Sequence, residues 1–146
     1  MSYWRLHYHS VWACKNRQSL VTPDIETSLY NYFRGKCSKL DAVVHAVGGI
    51  ENHVHLVFSL HPKYSVADFI GKIKGASSHW VTHVLQHPDE FDWQRGYGVL
   101  SISERILPKV ISYVVNQKDH HLQNRIEDSF ERWSEDEEGV MINGDD

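Results

Sequence analysis

Two pairs of residues in this sequence have side-chain types and spacings that could carry out chemistry together. His53 and His55 lie two residues apart in the segment ENHVHLVF, and Tyr113 and Gln117 lie four residues apart in SYVVNQK. Residues two apart on a β-strand share a face, so the two imidazoles could hold one metal ion. Residues four apart on a helix also share a face, so the phenol could act as a nucleophile beside a neutral amide ligand.

Each pair also has a simpler explanation. The chain contains 11 histidines, so His-x-His pairs arise by chance, and His7 and His9 form another such pair. The pair His53 and His55 is compatible with two surface histidines on a polar strand face. Tyr113 is compatible with a core aromatic residue whose hydroxyl lies at the rim. Neither pair taken alone therefore establishes a functional site.

The elements that must position these pairs follow from the spacing of apolar residues and from capping residues. Alternation predicts strands over residues 3–15, 42–50, 53–60 and 97–103, and helical spacing predicts helices over 22–39, 65–85 and 104–122. The resulting order is β-α-β-β-α-β-α. This order predicts an α+β, ferredoxin-like (RRM-like) fold, with an antiparallel sheet and helices on one face. Because that fold carries many unrelated functions, function must be argued from the site.

Composition places the chain among ordinary globular proteins. Its 146 residues suffice for one domain with its own core, and 41% of them are hydrophobic and 23% charged. The apolar stretches are too short to span a bilayer, and the first 17 residues lack a signal-peptide pattern, so we expect no membrane association and a cytoplasmic location. Cys14 and Cys37 have no CxxC spacing and are predicted to be free thiols.

The charge is distributed unevenly along the chain. Residues 127–146 hold nine of the 19 acidic residues and one of the 15 basic residues, which leaves ten acids and 14 bases in residues 1–126, a balance of +4. A mildly basic body permits a nucleic-acid partner without indicating one. We therefore predict a functional domain over 1–126 and an acidic C-terminal tail over 127–146, which we expect to be flexible.

Four segments taken together are more specific evidence of function than either pair of residues. In order, they are ENHVHLVF (51–58), IKGASSHW (73–80), WQRGYGVLSIS (93–103) and PKVISYVVNQKDHH (108–121). They resemble the single-tyrosine HUH transposases, the small transposases of bacterial insertion sequences that move as single-stranded DNA. The segments HYHSVWACKNRQSLVTP (7–23) and RGKC (34–37) extend the resemblance, which spans about residues 3–121.

The resemblance implies a role for each residue of the two pairs. The HUH motif falls on His53, Val54 and His55, the nucleophile on Tyr113, and the polar residue that completes metal binding on Gln117. Imidazole and amide ligands alone would favour zinc or another transition metal. The resemblance instead implies Mg²⁺ or Mn²⁺, with the substrate phosphate supplying further oxygen ligands. It does not extend to the residues after about Arg125, and we assign these no catalytic role.

The resemblance also implies a reaction and partners. Attack by a tyrosine would give a 5′-phosphotyrosine and a free 3′-hydroxyl in single-stranded DNA, which the family recognises through hairpins at the element ends. Family members are homodimers whose active sites are shared between subunits. Four basic side chains on the first two predicted helices could contact DNA phosphates: Arg34, Lys36, Lys72 and Lys74. Each of them could equally be a solvated surface charge.

Two other functions remain open at this point. A binding module for single-stranded nucleic acid, without cleavage activity, would suit the basic body but leaves the pairing of Tyr113 with Gln117 unexplained. A metal-dependent phosphohydrolase would explain His53 and His55, but it needs an activated water molecule and usually more carboxylate ligands. We interpret His7 and His9 as a feature of the first strand.

Overall fold

The centre of the molecule is a four-stranded antiparallel sheet. The computed structural model describes residues 2–88, 90–122 and 131. The strands are β1 (His7–Ala13), β2 (Ala42–Ile50), β3 (His53–Leu60) and β4 (Gly98–Ile102), in the spatial order β2-β3-β1-β4. This arrangement confirms the predicted α+β class. β1 begins four residues later than predicted, at His7.

Two helices, α1 (Pro23–Lys39) and α2 (Val66–His79), connect the strands. α1 begins as its sequence predicts, with Thr22 at the N-cap and proline at the first helical position. α2 begins after Ser65, whose hydroxyl accepts a hydrogen bond from the backbone N–H of Asp68. α2 then continues as one π-helical segment, Trp80–Val84, so the helical region ends close to the predicted position.

Both α1 and α2 pack on one face of the sheet and form the larger core. Strand residues with period-two spacing contribute Trp12, Val54, Leu56 and Phe58 to this core. They meet a buried stripe on α1 that includes Phe33. Each such apolar side chain stabilises the fold by roughly 1.5–3 kcal/mol relative to an exposed position. This core fixes the orientation of β3 and hence the face on which its histidines lie.

The predicted third helix differs from the expectation in two ways. It divides into α3 (Leu107–Val115) and α4 (Gln117–Leu122), because Asn116 adopts a non-helical conformation with φ −105° and ψ 24°. It also lies on the opposite face of the sheet, where Val110, Tyr113 and Val114 pack with Val57. The expectation of helices on one face therefore holds only for α1 and α2, and β3 is covered on both sides.

A close backbone approach places α3 on that second face. A Cβ atom added at Gly48 of β2 would lie 2.0 Å from the carbonyl oxygen of Val114 on α3. No real Cβ contact is that short, so only glycine permits the observed spacing between the strand and the helix. Because Tyr113 is adjacent to Val114, the identity of residue 48 sets how closely the tyrosine can approach the sheet.

We expect Gly48→Ala to push α3 away from β2 by more than an ångström, since the contact is with backbone and no side chain can rotate away. The variant should lose thermal stability and activity together. Circular dichroism melting measures the stability, and formation of the covalent DNA adduct that the resemblance implies measures the activity. The matched control is Gly75→Ala on α2, where nothing lies within 4 Å of the added Cβ. Alanine is favoured over glycine within a helix, so this control should gain about 0.5–1 kcal/mol. Equal stability of the two variants would contradict the role assigned to Gly48.

Candidate active site

The two histidines of the HVH segment lie on β3 and face α3. Their neighbours Val54 and Leu56 point to the opposite side, into the larger core. His53 and His55 are almost completely buried, with exposed fractions of 1% and 0%. The sheet face is therefore not a polar, solvated surface. The histidines lie instead in an enclosed space between β3 and the helices α3 and α4.

Hydrogen bonds hold both imidazole rings so that their Nε2 atoms face the same space. His53 Nδ1 lies 2.7 Å from Asn52 Oδ1, and His55 Nδ1 lies 2.7 Å from His9 Nε2. The rings of His9 and His55 are stacked, with centroids 5.0 Å apart. When Nδ1 carries the proton in such a pair, Nε2 presents a lone pair to a metal ion; when Nε2 carries the proton, the ring instead donates to a carboxylate. Asn52 and His9 therefore occupy the positions from which outer-shell residues orient metal-binding histidines.

The structure brings Tyr113 and Gln117 to these histidines within one chain. Gln117 is buried, and its Oε1 atom lies 3.2 Å from His53 Nε2. The ring of Tyr113 lies 6.0 Å from that of His55, measured between centroids. Because α3 ends at Val115 and α4 begins at Gln117, the two residues belong to different short helices, yet they still face the same space. All four residues predicted for the site are thus adjacent.

A fifth residue, Glu131, enters the same space. Its Oε1 atom lies 3.1 Å from the Nε2 atoms of both His53 and His55. Its Oε2 atom accepts a short hydrogen bond from the hydroxyl of Tyr113 and a second bond, of 3.2 Å, from Gln117 Nε2. The ligand atoms of His53, His55 and Glu131 all lie within 4.8 Å of one another, a spacing that could hold a metal ion.

Sequence reasoning did not include Glu131, because it lies beyond the segments that carry the resemblance and no periodic spacing connects it to α4. The rest of the acidic tail (127–130 and 132–146) lies outside the described residues, so its flexibility stays a prediction. His121 was also missed. Its Nε2 atom lies 3.0 Å from Gln117 Oε1, and its ring lies 5.1 Å from that of His53. The i, i+4 spacing of Gln117 and His121 on α4 was the available signal.

The electrostatics of the site favour an ionised carboxylate at Glu131 and neutral imidazoles at His9 and His55. Burial alone would raise the pKa of the Glu131 carboxyl, but hydrogen bonds from His53 and His55 outweigh it and hold this pKa well below its ordinary value. Burial lowers the pKa of His55, and a hydrogen bond to Glu131 only partly opposes that effect. Burial, with the neighbouring His55, lowers the pKa of His9 to about 3. Neutral imidazoles are the form in which histidine binds metals.

The four basic residues predicted to contact phosphate lie on α1 and α2, on the face of the sheet opposite to the histidines. Arg34 and Lys72 are exposed, and Lys36 is half-buried. Lys74 differs from the expectation, since it is 6% exposed and its Nζ atom donates hydrogen bonds of 2.9 Å to the backbone carbonyls of Gln94 and Gly96. Lys74 thus fixes the chain that leads into β4, and its ammonium group is not directed at a phosphate.

Comparison with known protein families identifies the family of this chain. Residues 2–117 match the family model described as "Transposase IS200 like". The chain belongs to this family. The match ends at Gln117, so the family region contains both histidines, the tyrosine and the glutamine, whereas Glu131 lies beyond it.

Relatives of this transposase occur in Deinococcus radiodurans and in Salmonella typhimurium. It is 24% identical over 123 residues to the ISDra2 transposase TnpA of Deinococcus radiodurans, a match that covers 80% of this chain and 86% of the relative. It is also 24% identical over 119 residues to the transposase for insertion sequence element IS200 of Salmonella typhimurium, with 78% of each chain covered.

Solved structures share the fold of the transposase. A crystal structure of a transposase from Deinococcus radiodurans superposes with a TM-score of 0.64 at 22% identity, covering 86% of this chain and 95% of that one. A REP-associated tyrosine transposase bound to a REP hairpin superposes with a TM-score of 0.60 at 14% identity, covering 86% of this chain and 76% of that one. Within residues 2–88 and 90–122, no helix has the length and apolar character needed to cross a bilayer.

Proposed function

We propose that this transposase cleaves and rejoins single-stranded DNA at insertion-sequence ends, using Tyr113 as the nucleophile and a divalent metal ion held by His53, His55 and Gln117. One observation carries the proposal. Tyr113 follows His53 by 60 residues and His55 by 58 residues in the sequence, yet the fold encloses all three side chains in one space. A merely structural tyrosine would not need to face two buried imidazoles with converging Nε2 atoms.

The donor set fits a divalent cation. Two imidazole nitrogens and one amide oxygen surround the same space, and each histidine has its second ring nitrogen in a hydrogen bond. Such a set leaves coordination positions open for phosphate oxygens, which are the hard ligands that Mg²⁺ and Mn²⁺ prefer. When bound, the cation would polarise the scissile phosphate and neutralise the charge that develops on it.

The chemistry assigned to Tyr113 conserves the phosphodiester bond energy. The bond between Tyr113 Oη and phosphorus forms as the bond from phosphorus to the 3′-oxygen breaks. The phenolic proton leaves Oη, and the departing 3′-oxygen takes up a proton to become a hydroxyl. In the reverse step a 3′-hydroxyl attacks the 5′-phosphotyrosine and restores the phenol. Because the link to the protein is covalent, rejoining requires no nucleotide cofactor.

Hairpin-containing single-stranded DNA is the proposed substrate, and a homodimer the proposed assembly. The REP-associated relative is bound to a hairpin, which supports a DNA substrate of this kind. β4 is an edge strand with the half-exposed apolar residues Val99 and Leu100, and such an edge can pair with a second copy. The resemblance implies sites shared between subunits, whereas the described residues form the site within one chain. Mixing two variants that are each inactive decides between these arrangements.

A covalent-capture assay tests the proposed function. The purified protein is mixed with Mn²⁺ and single-stranded oligonucleotides that cover both ends of the DNA flanking its gene, each labelled at its 3′ end. After denaturation, we expect label attached covalently to the protein, since attack by tyrosine retains the 5′-phosphate of the downstream strand. Free cleaved DNA without an adduct would favour the phosphohydrolase. Bound but intact DNA would favour the binding module.

The contact between His9 and His55 leads to a separate expectation. Replacing His9 with leucine removes the partner of His55 Nδ1, so the ring loses the bond that orients its Nε2 atom. Removing such an outer-shell partner typically weakens metal binding on the order of 10- to 100-fold. We expect that loss in a Mn²⁺ titration followed by electron paramagnetic resonance. His9→Gln, which can still offer a hydrogen bond, should retain more affinity than His9→Leu. Wild-type affinity in His9→Leu would show that His9 only fills space.

A further inference from the structure

The Glu131 carboxylate contacts every residue assigned to the site. One oxygen lies 3.1 Å from the Nε2 atoms of both His53 and His55, and the other is bonded to the Tyr113 hydroxyl and to Gln117 Nε2. The side chain is only 10% exposed. A surface acid with a freely rotating carboxylate would not satisfy four buried partners at once. This arrangement indicates a defined position for the carboxylate.

The spacing around Oε1 is that of ligands on a common metal ion. Octahedral Mg²⁺ holds its ligands at about 2.1 Å, which places adjacent ligand atoms about 3.0 Å apart. The distances from Oε1 to the two imidazole nitrogens, and from His53 Nε2 to Gln117 Oε1, are 3.1, 3.1 and 3.2 Å. Glu131 Oε1 therefore lies where an additional oxygen ligand of the same cation would lie.

The second carboxylate oxygen of Glu131, Oε2, lies at the position that the scissile phosphate must occupy. Attack requires phosphorus about 3–3.5 Å from Tyr113 Oη while a phosphate oxygen faces the metal-binding residues. Glu131 presents the same two features, because one oxygen faces the histidines while the other contacts the Tyr113 hydroxyl. Two anions cannot occupy this space together. Phosphate entry and the observed position of Glu131 are mutually exclusive.

We infer that Glu131 is a ligand of the metal ion in the DNA-free enzyme and occupies the position of the scissile phosphate, so that single-stranded DNA must displace it before Tyr113 can react. The inference rests on the proposed function, since it takes the metal site and the nucleophile from there. It adds an anionic ligand from outside the family region. This ligand retains the cation before DNA binds and shields Tyr113 from other electrophiles.

Metal binding without DNA provides the first test. Glu131→Gln keeps the size of the side chain but removes its charge, and Glu131→Ala removes the ligand altogether. In a Mn²⁺ titration of the DNA-free protein, we expect both variants to bind at least 10-fold more weakly than wild type. Glu104→Gln is the charge-matched control, because the exposed Glu104 carboxylate pairs with Arg5 instead, and it should retain wild-type affinity. Affinities within twofold of wild type for both Glu131 variants, or an equal loss in Glu104→Gln, would overturn the inference.

DNA binding at saturating Mn²⁺ provides the second test. Fluorescence anisotropy is measured with the oligonucleotides from the flanking DNA, in a Tyr113→Phe background that prevents cleavage. Because no carboxylate then competes with the phosphate, Glu131→Ala should bind this DNA several-fold more tightly than its parent, and Glu131→Gln should lie between them. Unchanged or weaker DNA binding would exclude displacement. With Tyr113 intact, loss of the covalent adduct in Glu131→Gln despite full metal and DNA occupancy would identify Glu131 as a proton acceptor instead.

These outcomes are separable from failure of the proposed function. If wild-type protein forms no covalent adduct with DNA, the transposase chemistry fails whatever the Glu131 variants do. If wild type forms the adduct but the Glu131 variants bind Mn²⁺ as wild type does, only the role of Glu131 fails. The metal titration requires neither DNA nor turnover, so its result does not depend on having found the cognate hairpin.

Discussion

Tyr113→Phe should yield a folded protein that binds metal and DNA and forms no covalent adduct. The substitution removes one oxygen and keeps the ring, which is buried against Val57 and Val110 on the second face of the sheet. Losing the hydrogen bond to Glu131 should cost on the order of 1 kcal/mol of stability. The chemical loss should be complete, because phenylalanine has no atom that can attack phosphorus. Gel analysis of denatured, labelled complexes measures the adduct, and melting temperature measures the stability.

Tyr64→Phe is the matched control, since it also removes a hydroxyl bonded to a carboxylate. Its Oη atom donates a 2.7 Å hydrogen bond to Asp41, away from the histidines. We expect wild-type adduct formation from this variant. If Tyr113→Phe still captured DNA covalently, another of the seven tyrosines would be the nucleophile. If it still cleaved DNA without an adduct, the protein would be a hydrolase.

His55→Ala should abolish metal-dependent cleavage. The substitution removes a metal ligand from the centre of the site, where His55 contacts both His9 and Glu131. Because the side chain is fully buried, it should also cost about 1–3 kcal/mol of stability, so folding is checked by circular dichroism. His45→Ala on the neighbouring strand β2 is the control, since that ring bonds Ser59 instead. Cleavage by folded His55→Ala at the wild-type rate would rule out the assigned metal site.

Mixing His55→Ala with Tyr113→Phe protein decides whether active sites are shared between subunits. The close approach of Gly48 to Val114 places Tyr113 beside the histidines of its own chain. If the active enzyme keeps this arrangement, every site in the mixture lacks either His55 or the Tyr113 hydroxyl, and activity stays absent. We expect this result. If the tyrosine helix serves the partner chain, some mixed dimers contain one intact site and activity partly returns. Recovery of adduct formation on mixing would therefore show that α3 moves away from Gly48 in the active dimer.

The short-range pattern of the sequence was enough to predict β3 and the histidines on it. His53 and His55 share a face because successive strand residues alternate, and the intervening Val54 and Leu56 identify the opposite face as core. The same reasoning predicted α1 from its capping residues and the fold class from the order of elements. These features depend on neighbours within a few residues, because over that range the backbone geometry of a strand or helix alone determines the direction in which each side chain points.

Tertiary structure decided the features that depend on distant segments meeting. The sequence did not indicate that α3 crosses to the second face, because this depends on the missing side chain at Gly48 opposite a backbone carbonyl. The burial of Lys74 likewise depends on carbonyls about 20 residues away. His9 became a partner of His55 only through the register of β1 against β3, and Glu131 reached the site across 76 residues. Local periodicity carries no information about such encounters, since they are set by packing between elements.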